Sequence, residues 1–231
     1  MTTTYPDLCD VIVADSGVYP PQHDSRLLID ALRRTDLATG RRVLDLCTGS
    51  GIVAIAAAQL GAASVTAFDI CPRAVRCSRS NAVATGVDVD VQIGSLTRAV
   101  ASGPYDVVVS NPPYVPVGPD SHAEVIPEDA GPPRAWNAGD DGRLVLDPLC
   151  EAAPALLVAG GTLLLVQSEF SGVQQSLACL RSVGLDADII AWQWVPFGPV
   201  LSARATWLES SGRLRSGRRE EELVVIRADK P

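Results

Sequence analysis

None of the six cysteines of this 231-residue chain forms a Cys-x-x-Cys pair, so nothing in it has the spacing of a structural zinc site, and no metal is expected. Cys9, Cys47, Cys71, Cys77, Cys150 and Cys179 are expected instead as buried free thiols in a reducing compartment. Histidine is nearly missing. His23 and His122 are the only two, both expected on solvated loops, with His23 close to any pocket its segment forms. No apolar run approaches the ~18 residues needed to cross a membrane. The N-terminal MTTTYPDLCD lacks the basic start and apolar stretch of a secretory leader. A cytoplasmic location is the expectation. Positive charge is also short, with 19 Lys and Arg against 27 Asp and Glu and a net charge of −8. That balance argues against wide, sequence-independent contact with nucleic acid.

What is present is apolar and periodic. Hydrophobic residues make up 47% of the chain, enough to bury one α/β core. RVLDLC (42–47), SVTAFDI (64–70), residues 87–93, YDVVVS (105–110), TLLLVQ (162–167), residues 186–195 and ELVVIRA (222–228) read as strands. Helices are expected over 52–60, from Pro72 to residue 84, over 144–158 with Pro154 as an irregularity, and over 171–183. Gly160-Gly161 is expected to break the third of these. Alternating strands and helices imply a largely parallel sheet with right-handed crossovers. Residues 112–133 hold seven of the seventeen prolines and read as a long, ordered, functional loop. Residues 196–221, with Arg213, Arg215, Arg218 and Arg219, read as partly disordered or as a protruding hairpin whose arginines are solvated or touch phosphate.

Between the first strand and its helix stands DLCTGSG (45–51). Gly49 and Gly51 let the backbone turn tightly against a ligand. Asp69, eighteen residues after Gly51, ends the next strand, where a carboxylate can accept both hydroxyl hydrogens of a ribose. The same glycines also satisfy the G-x-G-x-x-A pattern of a nicotinamide dinucleotide site. Asp45 favours S-adenosylmethionine, because a carboxylate there suits a cationic amino-acid end and repels a pyrophosphate.

The second motif is Asn111-Pro112-Pro113-Tyr114, at the end of YDVVVS. It should face the same crevice as Gly49 and Asp69. The Asn111 side-chain oxygen and the Pro112 carbonyl can each accept one hydrogen of a planar NH2 group. The prolines stiffen the backbone, and Tyr114 can stack on the flat group. Such a nitrogen is a poor nucleophile because its lone pair is conjugated. Two aimed acceptors orient it and stabilise the positive charge that grows on methylation, with no metal and no strong base.

DLCTGSG, FDI and NPPY, in this order and spacing, resemble a class I, Rossmann-like methyltransferase of the HemK type. That family methylates the glutamine amide of the Gly-Gly-Gln motif in peptide-release factors. VYPPQHDSRLL (18–28) is similar to the signature that precedes its domain, and AWNAG (135–139) with Gly142-Arg143 to the short branch typified by eukaryotic and archaeal enzymes. The resemblance runs from about Val18 to Gln167. It implies a mostly parallel seven-stranded sheet with an antiparallel last strand and helices on both faces. Residues 1–40 would complete the cofactor pocket of a domain over 41–231. It implies S-adenosylmethionine contacts from Ser25, Asp45, Cys47, Gly49, Gly51, Asp69, Ser95, Leu96 and Asn111. Substrate contacts would come from Asn111, Pro112, Pro113 and Tyr114, the catalytic set being Asn111, Pro112 and Tyr114.

Three features depart from that pattern. Cys47 replaces the usual first glycine of the turn. Ser95 stands where an acidic residue often holds the adenine amine. About forty residues precede the first strand, too few for the substrate-gripping helical domain of the bacterial enzymes, and the short-branch enzymes work with a small zinc-binding activator subunit instead. The leading expectation is therefore methylation of a protein glutamine, with a release factor as partner. The alternatives are methylation of an exocyclic amine of adenine or guanine in RNA or DNA, and a non-catalytic protein that keeps the cofactor fold. Trp192 and Trp194 are expected to pack, and Trp136 either to pack or to hold substrate. Asp120, Glu124, Glu128 and Asp129 are expected as an acidic loop rim, solvated or attracting a basic partner.

Overall fold

Val107, Val108 and Val109 are completely buried. A strand this apolar has to be covered on both faces. It lies at the centre of the sheet in the computed structural model, which describes residues 8–119 and 124–231. The strands are β1 (Arg42–Leu46), β2 (Ser64–Asp69), β3 (Asp90–Ile93), β4 (Tyr105–Ser110), β5 (Leu157–Ser168), β6 (Asp186–Pro196) and β7 (Glu220–Asp229). Their order is β3-β2-β1-β4-β5-β7-β6, and only β7 is antiparallel to its neighbours. This is the seven-stranded arrangement that the resemblance implies.

One layer of helices contains α2 (His23–Thr35), α3 (Ile52–Gln59) and α4 (Pro72–Thr85), with the short α1 (Leu8–Val11) against α3. The other contains α5 (Leu96–Ser102), α6 (Leu146–Leu156) and α7 (Val173–Ser182). Leu28 and Leu32 of α2 are fully buried, and α2 packs on β5, β6 and β7. The small side chains of α3, IVAIAAAQ, let it lie close on β1 and β2. Its start is equally tight against α4. A Cβ on Gly51, whose φ is +87°, would sit 2.3 Å from the Ser78 hydroxyl oxygen.

Several expectations are corrected. The helix expected over 144–158 ends at Leu156, and β5 runs through Gly160-Gly161 instead of starting after it. The pair marks an irregularity in the strand: the register against β4 shifts between Tyr105 and Val107, and Gly160 has a φ of +73°. Lys230 closes this junction by donating to the carbonyls of Pro154 and Leu157 at 2.7 and 2.8 Å. Residues 196–221 are neither disordered nor a hairpin. They form α8 (Pro199–Ser210), with Pro199 in its first turn. Three of the four arginines over 213–219 are engaged within the fold, Arg213 with the Asp140 carbonyl, Arg218 with Glu169 and Arg219 with Glu209, while Arg215 is exposed.

Trp192 and Trp194 do not pack inward. They are 63% and 44% exposed. β6 is the outer strand; Ala187, Ala191 and Val195 are its buried residues, and Ile189 packs partly against the core. Glu124 is no free rim charge, because it meets the buried Arg204 of α8. Glu128 and Asp129 are exposed. Asp120 and His122 lie outside the described residues. Five of the cysteines are free thiols: Cys71, Cys77 and Cys150 buried, Cys47 and Cys179 partly so. The Cys9 side chain lies outside the described set.

Candidate active site

Parallel strands deliver their loops to one edge of the sheet, and ligands bind in the crevice beyond the carboxyl ends. Here that edge holds a cavity of 450 Å³, within the ~300–1,000 Å³ usual for small-molecule sites. Ser25, Asp45, Cys47, Gly49, Asp69, Ser95, Leu96, Asn111 and Pro113 all line it. Gly51 does not; its role is the close approach to Ser78. Pro112 is buried and is not among the residues lining this cavity, and Tyr114 lines an adjoining cavity. Ahead of β1, Gly17, Val18, Tyr19 and Pro21 also reach the wall of the larger cavity.

The loop after β1 is held by two carboxylates. Asp45 Oδ2 accepts from Thr48 Oγ1 at 2.6 Å and from the Ala54 N–H at 3.1 Å. It thereby satisfies a donor that the first turn of α3 would otherwise leave open. Burial pushes the Asp45 carboxyl from 3.8 up to about 7, against the pull of those two bonds. Asp69 ends β2 and bridges two loops, with Oδ2 accepting from the Gly49 N–H at 3.0 Å and Oδ1 from the Cys71 N–H at 2.8 Å. Burial raises its pKa too. The Cys71 and Gly49 N–H groups and the charge of Arg134 oppose that rise. Cys47 has a φ of +66°, the left-handed conformation that glycine adopts without strain and a small side chain tolerates.

The Asn111 corner is tied down on three sides. Ser110 Oγ donates to the Leu46 carbonyl at 2.7 Å, locking β4 to β1. Val115 pairs with the AWNAG segment: its N–H donates to the Trp136 carbonyl at 2.8 Å, and its carbonyl accepts from the Ala138 N–H at 3.1 Å. The third tie runs through Asp24, which the sequence reading passed over in favour of its neighbour Ser25. Asp24 is 3% exposed and accepts from Tyr114 Oη at 2.9 Å, Tyr19 Oη at 3.2 Å and the Ser25 N–H at 2.6 Å. Ser25 Oγ in turn accepts from Asn111 Nδ2 at 3.4 Å, which leaves Asn111 Oδ1 as an acceptor. Burial and the Asp24 charge push the Tyr114 and Tyr19 phenols well above 10, so both remain protonated donors.

Arg134 is a further residue that sequence reasoning missed. It lines the cavity from the proline-rich loop and donates to Cys71 Sγ at 3.1 Å. No local motif marks it; only the folding-back of residues 112–133 brings it to Asp69.

Known proteins share sequence and fold with this chain. A family model for ribosomal protein L11 methyltransferase matches residues 23–112. A Methanocaldococcus jannaschii protein provisionally named a protein N5-glutamine methyltransferase is 32% identical over 188 residues, covering 81% of this chain and 91% of that protein. The release factor glutamine methyltransferase of Deinococcus radiodurans is 39% identical over 165 residues, 71% of this chain but 57% of its own length. The chain thus spans little more than half of that bacterial relative. Among solved structures, the E. cuniculi Mtq2–Trm112 complex, described as responsible for methylation of the eRF1 translation termination factor, matches with a TM-score of 0.62 at 24% identity. The match covers 93% of this chain and 99% of that one. By its likeness to these relatives and its sheet order, the chain belongs to the HemK-type family of class I methyltransferases that use S-adenosylmethionine.

Proposed function

We propose that this protein methylates the side-chain amide nitrogen of a glutamine in a protein, with a translation release factor as the target. The observation that carries this reading is the placement of Asn111 and Asp69 on the wall of one cavity.

The cavity suits S-adenosylmethionine. Val18, Val53, Phe68, Ile70 and Leu96 supply apolar walls, Asp69 a carboxylate for ribose hydroxyls and Ser95 a hydroxyl further along. A Cβ on Gly49 would meet nothing within 4 Å, so its backbone is open to a close ligand. Asp45 and Cys47 would border the amino-acid end. When bound, the cofactor supplies a methyl group activated by a sulfonium.

The chain itself supplies orientation. Asn111 Oδ1 and the Pro112 carbonyl would accept the two amide hydrogens of the substrate, directing its lone pair along one line. The same acceptors stabilise positive charge as the new bond to nitrogen forms. One amide proton then leaves to solvent, and the product is an N-methyl amide. Tyr114, held protonated, is no base. Its bond to Asp24 fixes the corner.

Both outer strands leave apolar side chains exposed: Ile93 on β3, and Ile190 and Trp192 on β6. Such edges support the idea of a small activator subunit. The test uses labelled cofactor with a cell extract and with a purified release factor. Label is expected in a release-factor band sensitive to protease and resistant to nuclease. Label lost to nuclease would move the substrate to nucleic acid. Full turnover by the purified monomer would dispose of the activator.

A further inference from the structure

On the far side of the Tyr19–Asp24–Tyr114 cluster a second cavity of 210 Å³ opens at the same edge of the sheet. Its walls come from the end of β6, the first turn of α8, the start of β7 and the AWNAG segment. Val195, Phe197, Val200 and Leu223 make them mostly apolar. Gln22, His23 and Asp24 add polar side chains at the start of α2, and two further polar atoms stand out. Trp136 Nε1 and Glu221 Oε2 belong to residues only 4% and 8% exposed, and neither has a hydrogen-bond partner among the described residues. A buried donor or acceptor left unmade costs about 1–3 kcal/mol. Two in one small cavity point to a ligand that completes them.

We infer that this cavity holds a main-chain amide of the polypeptide that carries the methyl-accepting side chain: an amide N–H donates to Glu221, and an amide carbonyl accepts from the Trp136 indole N–H. The inference rests on the protein-substrate reading above. Two features select this chemistry. An ammonium would satisfy the carboxylate and leave the indole N–H unpaired. An anion would satisfy the indole and be repelled by Glu221 and Asp24. One residue of polypeptide backbone brings a donor and an acceptor together, without net charge. The size agrees, because 210 Å³ falls below the ~300 Å³ at which complete small-molecule sites begin. It fits a subsite of a larger substrate. Tyr19 lines both cavities, so a backbone anchored here lies next to the chamber of Asn111.

Two measurements test this separately from the function reading. In the first, the indole N–H resonance of Trp136 is identified by its loss in Trp136→Phe. It is then followed while N-acetylglycine N-methylamide, a blocked residue with two amides and no side chain, is added. The resonance is expected to move. It should stay in place with methylammonium chloride, and the response should shrink in Glu221→Leu and recover in Glu221→Gln, which keeps an oxygen acceptor. A response to methylammonium, or none to the blocked residue, overturns the assignment. In the second, steady-state methylation of a release factor should show KM raised roughly tenfold in Trp136→Phe and Glu221→Leu. In both, kcat and cofactor Kd should stay near wild type, which also certifies folding. A loss confined to kcat would overturn the subsite. If wild type methylates no release factor at all, the function reading fails, while the resonance still decides the amide site.

Discussion

At Asn111 the side chain has a donor committed and an acceptor to spare. Nδ2 is directed to Ser25 Oγ, and Ser25 is held by Asp24. The acceptor is what a planar amide needs, and the acidic hub behind it keeps the geometry. Replacing Asn111 with Ala should lower single-turnover methyl transfer by ~10²–10³-fold, the loss typical of one oriented polar group at a developing charge. Cofactor affinity, measured calorimetrically, should weaken only severalfold, because Asp69 and the glycine turn are untouched. Turnover close to wild type would show that the corner does not hold the acceptor nitrogen.

Among the elements, α8 decides whether the proline-rich loop has a shape. Arg204, 1% exposed, donates to both Glu124 carboxylate oxygens, at 2.9–3.0 Å, to the Pro116 carbonyl at 2.7 Å and to Asn137 Oδ1 at 2.7 Å. The guanidinium thus ties three points of residues 112–145 to one helix. Removing one member of a buried pair strands the other, at a cost of ~3–5 kcal/mol. Arg204→Met should cost about that much in urea denaturation, and adding Glu124→Gln should recover part of it. A loss under about 1 kcal/mol would mean that the loop holds its shape by other contacts. Arg134 and Trp136 both sit on this stretch, so its order bears on both cavities.

For the whole molecule, buried acids weigh on the pH response, Asp45 and Glu221 most of all. Asp45 is raised from 3.8, and Glu221 from 4.5, each to about 7 and each chiefly by burial. Asp24 and Glu169 push Glu221 further up, while Ser168 and the charge of Arg218 pull it down. An acid with a raised folded pKa costs nothing at low pH, where folded and unfolded chains both hold the proton. As pH climbs from the unfolded value to the folded one, the unfolded chain gives up protons that the fold retains, and stability falls. Glu221→Gln should therefore gain on wild type in thermal midpoint as pH goes from about 5 to about 8. Each recovered kcal/mol should appear as about 2–4 °C. A difference that stays flat or reverses across that range would refute the assignment.

The glycine turn at 45–51, Asp69, the β-branched strand YDVVVS and the Asn-Pro-Pro-Tyr corner were legible in the sequence because each is a local pattern with local geometry. They suffice for the cofactor class and for the part of the larger cavity wall that runs from the glycine turn through Asp69 to Asn111. Other features were not legible, since they depend on residues far apart in the chain. α8 has no clean apolar stripe, and its partners Glu124 and Pro116 lie about eighty residues upstream. Trp192 and Trp194 look like core residues until β6 proves to be an outer strand. Asp24 meets Tyr114 across ninety positions, and Glu221 shares a cavity with Trp136 only after β7 inserts beside β6. Local periodicity determined the strands and the helices α3, α4, α6 and α7, though not α8 or the start of β5. Which buried polar groups meet, and which are left without a partner, was decided by the packing of the sheet and its covering loops.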